Sequence, residues 1–208
     1  MNWESKRVGD IHASATIDIA ERIRELNVSG SDIIDLISGS PEFDTPAEIK
    51  QAAMDALNVD YEFMGYTPSA GLLELREAIV GKFATENQMF VSPKDIIVTV
   101  GVKEGMTIAI QACLETGDEV LLPTPNWVTY EPLVLLAGAV PVHVPLVSWT
   151  TETLTDALLG KITRKTKAII LSNPHNPTGR VYRQAELDQI AEIAKRHDLL
   201  ILVDEVLE

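Results

Sequence analysis

AIILSNPHNPTG (168–179) joins an unbroken apolar run to a loop with two Asn-Pro pairs and a glycine, and an amphipathic stretch begins near Val181. Four apolar residues bounded by turn formers read as a buried strand. A buried strand followed by a loop and then a helix is half of a parallel crossover. Two readings of the loop are open. It is a plain turn, or it is a stiffened loop that holds a short amide against a ligand.

The same rhythm runs through most of the chain. Apolar runs IIVTV (96–100), EVLLP (119–123), AVPVHV (139–144), AIIL (168–171) and LLILV (199–203) alternate with helical stretches near 102–115, 127–136, 152–160 and 183–196. This predicts an α/β fold, a three-layer α/β/α arrangement around a mainly parallel sheet. Upstream, residues 13–27 have helical spacing and IIDLI (33–37) reads as a strand. SGSPEFDTP (38–46) is rich in turn formers. Thr45-Pro46-Ala47-Glu48 has the capping-box pattern, so a helix is expected from there to about Leu57. YTPSAG (66–71) reads as a loop and LLELREAIVGKFATEN (72–87) as an amphipathic helix. Residues 1–45 are less regular and are expected to form an arm and part of a small domain. Residues 46–208 are expected to form the larger, ligand-binding domain.

Composition narrows the function. The 208 residues carry 17 basic and 31 acidic side chains, a net charge of −14. Nucleic acid and anionic membranes both call for clustered Lys and Arg, so neither is expected as a partner. The longest nearly apolar run, LVLLAGAVPV (133–142), is about half a membrane span. No secretory leader is evident in MNWESKRVGD, and a soluble, cytoplasmic protein is expected. The single cysteine, Cys113, lies in an apolar pattern and is expected to be a buried small hydrophobe. No metal-ligand spacing stands out.

Ligands of parallel α/β sheets bind at the carboxyl ends of the strands. Each strand end here offers a different chemistry. Gly101-Val102-Lys103-Glu104-Gly105 opens a helix whose first N–H groups suit an anion. Thr124-Pro125-Asn126-Trp127 presents a ring able to lie against a planar ligand, or to cap the core. Asn176 is an amide between His175 and Pro177. Asp204 closes an apolar strand, where a carboxylate needs a donor or a cation. Each also has a plain structural reading, as turn, core or helix cap. Together they suit a planar, phosphorylated, heteroaromatic cofactor with a basic ring nitrogen. The GxGxxG and Gly-Lys-Ser/Thr fingerprints are missing, which disfavours a nicotinamide dehydrogenase and a nucleotide hydrolase.

The spaced motifs SGSPEFDTP (38–46), YTPSAGLLELREAI (66–79), TVGVKEG (99–105), TGDEVLLPTPNWVTY (116–130), NPHNPTG (173–179) and VDEV (203–206) resemble those of class I/II aminotransferases. These are pyridoxal 5'-phosphate enzymes of fold type I, and the likeness is to the aspartate-aminotransferase-like group. The resemblance implies transfer of an amino group between an amino acid and a 2-oxo acid. It implies that Gly101, Val102 and Lys103 sit at the cofactor phosphate and that Trp127 stacks on the ring. Asn176 would bond the ring 3′-oxygen and help hold the substrate carboxylate. Asp204 would pair with the ring nitrogen and keep it protonated, so that the ring serves as an electron sink. Tyr66 would reach the phosphate of a neighbouring subunit in a homodimer with shared active sites. Gly39 would offer its backbone to the substrate α-carboxylate.

Two departures qualify this. The family's Schiff-base lysine lies a few tens of residues beyond the DEV motif. None of the nine lysines here stands in that context, Lys94 and Lys103 included. These 208 residues are therefore expected to be the N-terminal part of the fold, able to cradle the cofactor but not to complete transamination. Leu207 also stands where the family usually has a tyrosine that meets the 3′-oxygen. His175 is read as a loop histidine rather than a base. The alternatives are a carbon–sulfur β-lyase of the same fold and a non-catalytic cofactor-binding or dimerising fragment.

Overall fold

The computed structural model describes residues 3–9, 11, 15–36, 39, 43–58, 65–146 and 151–208. Ser38, Ser40, Pro41 and Glu42 of the SGSPEFDTP motif, Ile37 of IIDLI and the first residues of the 13–27 stretch lie outside them. In chain order the elements are α1 (Lys6–Gly9), α2 (Ala15–Val28), α3 (Ala47–Asn58), α4 (Leu73–Glu86), α5 (Gly101–Cys113), β1 (Glu119–Thr124), α6 (Tyr130–Leu136), β2 (Val140–Pro145), α7 (Thr151–Leu159), β3 (Thr166–Ser172), α8 (Gln184–His197) and β4 (Leu200–Asp204). The chain divides into two units. One comprises residues 1–21 and 102–208, the other residues 22–101.

The first unit holds the sheet, with strand order β2-β1-β3-β4 and every pairing parallel. Strand side chains alternate between faces, so β1, β3 and β4 each feed two cores, while β2 at the sheet edge feeds one. Leu121, Ile169 and Leu171 join Leu154, Leu158, Ile190 and Ile193, the inward faces of α7 and α8. Val120, Leu122, Ala168 and Ile170 join Met106, Ile110, Leu133 and Val134 from α5 and α6. This is the expected three-layer α/β/α arrangement, with β1 and β3 apolar on both sides because both sides are covered.

Helix spacing decides which residues of α5 are inside. Met106 and Ile110, with Leu114 just beyond the helix, recur every fourth residue and are buried. Cys113 falls off that stripe and is exposed, which corrects the buried position expected for it.

The second unit contains α3, α4 and the second half of α2, with a short 3₁₀ turn at Pro93–Asp95 capped by Ser92. Among the described residues two expected strands are not found. Residues 33–36 are irregular, with Ile34 and Leu36 exposed. IIVTV (96–100) starts extended but joins no sheet. Its Val98 N–H donates instead to the Ala70 carbonyl, and Ile97 and Val100 are exposed. A β-rich run becomes a strand only when a neighbouring strand takes its hydrogen bonds in a ladder, and among the described residues no strand pairs with this one. Gly71 marks a close approach within this unit. Its φ is +95°, and a Cβ there would lie 2.6 Å from Val98 Cγ2.

The contrast between buried and unpaired apolar runs can be measured. Ile169→Ala, at a fully buried position of β3, is expected to cost about 2–5 kcal/mol in urea unfolding. Ile97→Ala, at a side chain 63% exposed, is expected to cost less than about 0.5 kcal/mol in the same experiment.

Candidate functional site

Parallel register sets the centre of the site. Ser172, the last residue of β3, pairs with Asp204, the last residue of β4. The NPHNPTG loop therefore begins beside Asp204, and the Asn173 N–H donates to the Asp204 carbonyl at 2.9 Å. The Asp204 side chain is buried, 4% exposed. The Tyr130 hydroxyl donates to its Oδ2 at 2.8 Å and the Val206 N–H to its Oδ1 at 3.1 Å. Among the described residues no cationic side chain bonds to it.

Tyr130 opens α6 and is fully buried. Burial raises its pKa well above the usual phenol range, and the hydrogen bond to the Asp204 charge adds to that. The phenol therefore stays protonated and acts as a donor. Its ring stands edge-on to Trp127, centroids 5.4 Å apart and planes at 81°. Trp127 is half-buried and, like Val102, packs against the α5–α6 core. Lys103, in the first turn of α5, places Nζ 5.4 Å from the Trp127 ring centroid, a cation–π contact. Gly101 opens α5 at φ +77°, a conformation that favours glycine although nothing lies within 4 Å of its would-be Cβ.

The NPHNPTG loop closes on itself. His175 N–H donates to the Arg180 carbonyl and Gly179 N–H to the His175 carbonyl, both at 2.7 Å. The Asn173 side chain accepts from the Tyr182 N–H at 3.0 Å. The Asn176 N–H donates to Ser172 Oγ at 3.2 Å, and the Ser172 hydroxyl donates to the Pro174 carbonyl at 2.9 Å. The bonds preceding Pro125, Pro174 and Pro177 are cis. The Asn176 side-chain amide is half-buried and makes no hydrogen bond to the described residues, so both its donor and its acceptor remain available. His175 is buried, with Nδ1 2.8 Å from Thr178 Oγ1. Burial and the Arg180 charge push its pKa down, against a hydrogen bond to the Pro125 backbone. It is a neutral packing residue of the loop.

Behind the loop, Glu186 of α8 is fully buried. The Arg180 guanidinium bonds its Oε1, Arg183 reaches the same oxygen at 3.2 Å, and the Arg183 N–H donates to Oε2 at 2.8 Å. Burial alone would raise this carboxyl. The Arg183 and Arg180 contacts outweigh burial and hold it at about 2. The Arg180 guanidinium also lies over the Tyr182 ring, 5.2 Å from the centroid. The ion cluster therefore fixes the far end of the loop to α8.

The first unit thus brings together Val102, Lys103, Trp127, Asn176 and Asp204. Gly39 and Tyr66 lie in the second unit, where both are exposed and the Tyr66 ring is fully so. Leu207 is exposed in the turn after β4.

The family model for aminotransferase class I and II matches residues 31–207. The chain belongs to that family. It is 42% identical over 205 residues to an aspartate aminotransferase of Bacillus sp. (strain YM-2), covering 98% of this chain and 52% of the relative. Over 205 residues it is 41% identical to a probable aspartate/prephenate aminotransferase of Aquifex aeolicus (strain VF5), with the same coverage. Its fold matches the structure of Thermus thermophilus aspartate aminotransferase with maleate at a TM-score of 0.90 and 38% identity, covering 99% of this chain and 54% of that one. The chain spans about half the length of the curated relatives it matches.

Three residues around this candidate site carry weight that the motifs do not single out. Tyr130 stands three residues after Trp127, and its position at the start of a helix is the available clue. Ser172 is the polar end of an apolar strand. Glu186 follows Arg183 by three residues, a capping-box spacing that brings its carboxylate back to the Arg183 N–H.

The Glu186 carboxyl titrates at about 2 in the fold against an ordinary value of 4.5. A depressed carboxyl contributes its stability above the ordinary value and loses it as pH falls toward the folded one. Glu186→Gln is expected to cost about 3 kcal/mol at pH 7 in denaturant unfolding. The difference from wild type should shrink between about pH 5 and pH 2.

Proposed function

We propose that this chain is the greater part of the cofactor domain of a pyridoxal-phosphate-dependent aminotransferase, which moves an amino group between an amino acid and a 2-oxo acid. One observation carries the reading. A buried carboxylate, Asp204, has neutral donors on both oxygens and no cation among the described residues, and it sits beside an aromatic ring and an available amide. A buried carboxylate without a counter-charge favours a cationic ligand group, and a protonated ring nitrogen is one. The donor set therefore fits pyridoxal phosphate. Family membership and the aminotransferase names of the relatives support the same reading.

In this proposal Asp204 holds a proton on the ring nitrogen through its charge. Trp127 supplies a flat apolar face, and its edge contact with Tyr130 sets the tilt of that face. The Asn176 amide donates to the ring 3′-oxygen and orients the substrate carboxylate. Gly101, Val102 and Lys103 hold the phosphate at the start of α5, where the first-turn N–H groups have no intrahelical acceptor. A bound pyridoxal phosphate supplies an electron sink for the negative charge that develops at the substrate α-carbon. With a leucine at 207, the Asn176 amide is the main neutral donor to the 3′-oxygen. Gly39 meets the substrate α-carboxylate through its backbone. Tyr66 serves the phosphate of a second copy in a homodimer, a role its exposed ring leaves open. Residues 1–45 act as arm and small-domain segment and residues 46–208 as the large domain. A cytoplasmic location belongs to the same proposal; among the described residues no helix is long and apolar enough to cross a membrane.

Binding tests the reading without requiring turnover. The chain is expected to bind pyridoxine 5'-phosphate, which has no aldehyde and so reports only the non-covalent cradle. Asp204→Asn should weaken binding at least about tenfold, because a cation then faces a neutral amide. Binding by the variant as tight as by wild type would end the proposal. In the whole protein, amino transfer to 2-oxoglutarate should fall by about two orders of magnitude or more in Asp204→Ala, read as kcat.

A further inference from the structure

Tyr130 touches two of the proposed cofactor residues and lies next to the strand end that holds a third. Its hydroxyl is 2.8 Å from Asp204 Oδ2, and its ring edge meets Trp127. Ser172, the last residue of β3, pairs in register with the Asp204 that this phenol bonds. Ser172 in turn accepts the Asn176 N–H and holds the Pro174 carbonyl. Carboxylate and aromatic ring thus meet at one buried side chain that extends from a third element, α6, and the amide loop starts at the strand end level with that carboxylate.

We infer that Tyr130 is a positioning residue for the cofactor site: its hydroxyl fixes the plane of the Asp204 carboxylate while its ring fixes Trp127, so that ring-nitrogen recognition and ring stacking are set together. The inference rests on the proposed cofactor reading.

The physical argument is one of buried-charge accounting. The carboxylate has two oxygens, and the protein gives each one donor. The Val206 N–H comes from the turn directly after β4 and moves with Asp204. Tyr130 is the only one of the two that ties the carboxylate to another layer of the fold. Removing it leaves a desolvated oxygen without its donor and frees the carboxylate to rotate about its last bond. Both changes reduce the charge presented in one fixed direction. A charged acceptor makes this bond stronger than a neutral pair, so the effect should be clear in binding. Ser172, level with Asp204 on the neighbouring strand, anchors the backbone of Asn176.

A double-mutant cycle on pyridoxine 5'-phosphate affinity tests this. Tyr130→Phe keeps the ring and its packing and removes only the hydroxyl. It should weaken binding roughly tenfold in the wild-type background. In the Asp204→Asn background it should change affinity less than about twofold, because the hydroxyl then has no carboxylate charge to hold. Competition by inorganic phosphate should be the same for wild type and Tyr130→Phe, since the phosphate end is not involved. Ser172→Ala, a second variant away from the aromatic packing, should weaken the analogue by a smaller factor and again leave phosphate unchanged. Equal losses from Tyr130→Phe in both backgrounds would show a general structural role and overturn the inference, as would an unchanged affinity in the wild-type background while Asp204→Asn still weakens binding. If wild type and Asp204→Asn bind the analogue alike, the cofactor reading fails and this inference fails with it.

Discussion

The site depends on the parallel pairing of β3 with β1 on one side and β4 on the other. That pairing buries β3 on both faces and forces its chain to leave the sheet at Ser172, level with Asp204 on β4. From there the backbone has no strand partner ahead of it. The loop satisfies its polar groups locally, through the closed bonds of His175, Gly179 and Ser172. The carboxylate of Asp204, at the same level, is left with a phenol and one N–H. A strand end that is dry, polar and short of positive charge is a general device for attracting a cationic ligand group, and in this fold several such ends converge.

Rigidity around the loop comes from chemistry that takes no part in ligand contact. Glu186 joins Arg180 at the end of the loop to Arg183 at the start of α8, and Arg180 covers Tyr182. An ion cluster with both arginines bonded to one buried carboxylate holds the turn against α8 more specifically than apolar packing alone would. His175, kept neutral by burial, fills the space between the turn and Tyr182. The Asn176 amide is thus presented on a support held by other residues, and none of the described side chains that brace the loop bonds it.

Much of this was legible in the residues. The apolar runs at 119–123, 139–144, 168–171 and 199–203 are strands because each has a parallel neighbour, and the two central ones, covered on both faces, are the most continuously buried. IIVTV has the same composition and is not a strand, and Cys113 sits in an apolar pattern yet is exposed. In both cases the local signal is real, but the outcome depends on what lies alongside. Propensity reports a residue's fitness for an environment and does not supply the environment.

The sequence alone determined the alternation of strand and helix, the polar residues that terminate each strand, and the spaced motifs of an aminotransferase family. These are local properties, set by burial periodicity and turn chemistry within a few residues. Only the tertiary structure decided that Tyr130 bonds Asp204 across 74 positions of chain, that Ser172 lies level with that aspartate, and that Lys103 lies over Trp127. Those contacts are fixed by register between strands and by the seating of α5 and α6 on the sheet, and neither is encoded in any single stretch.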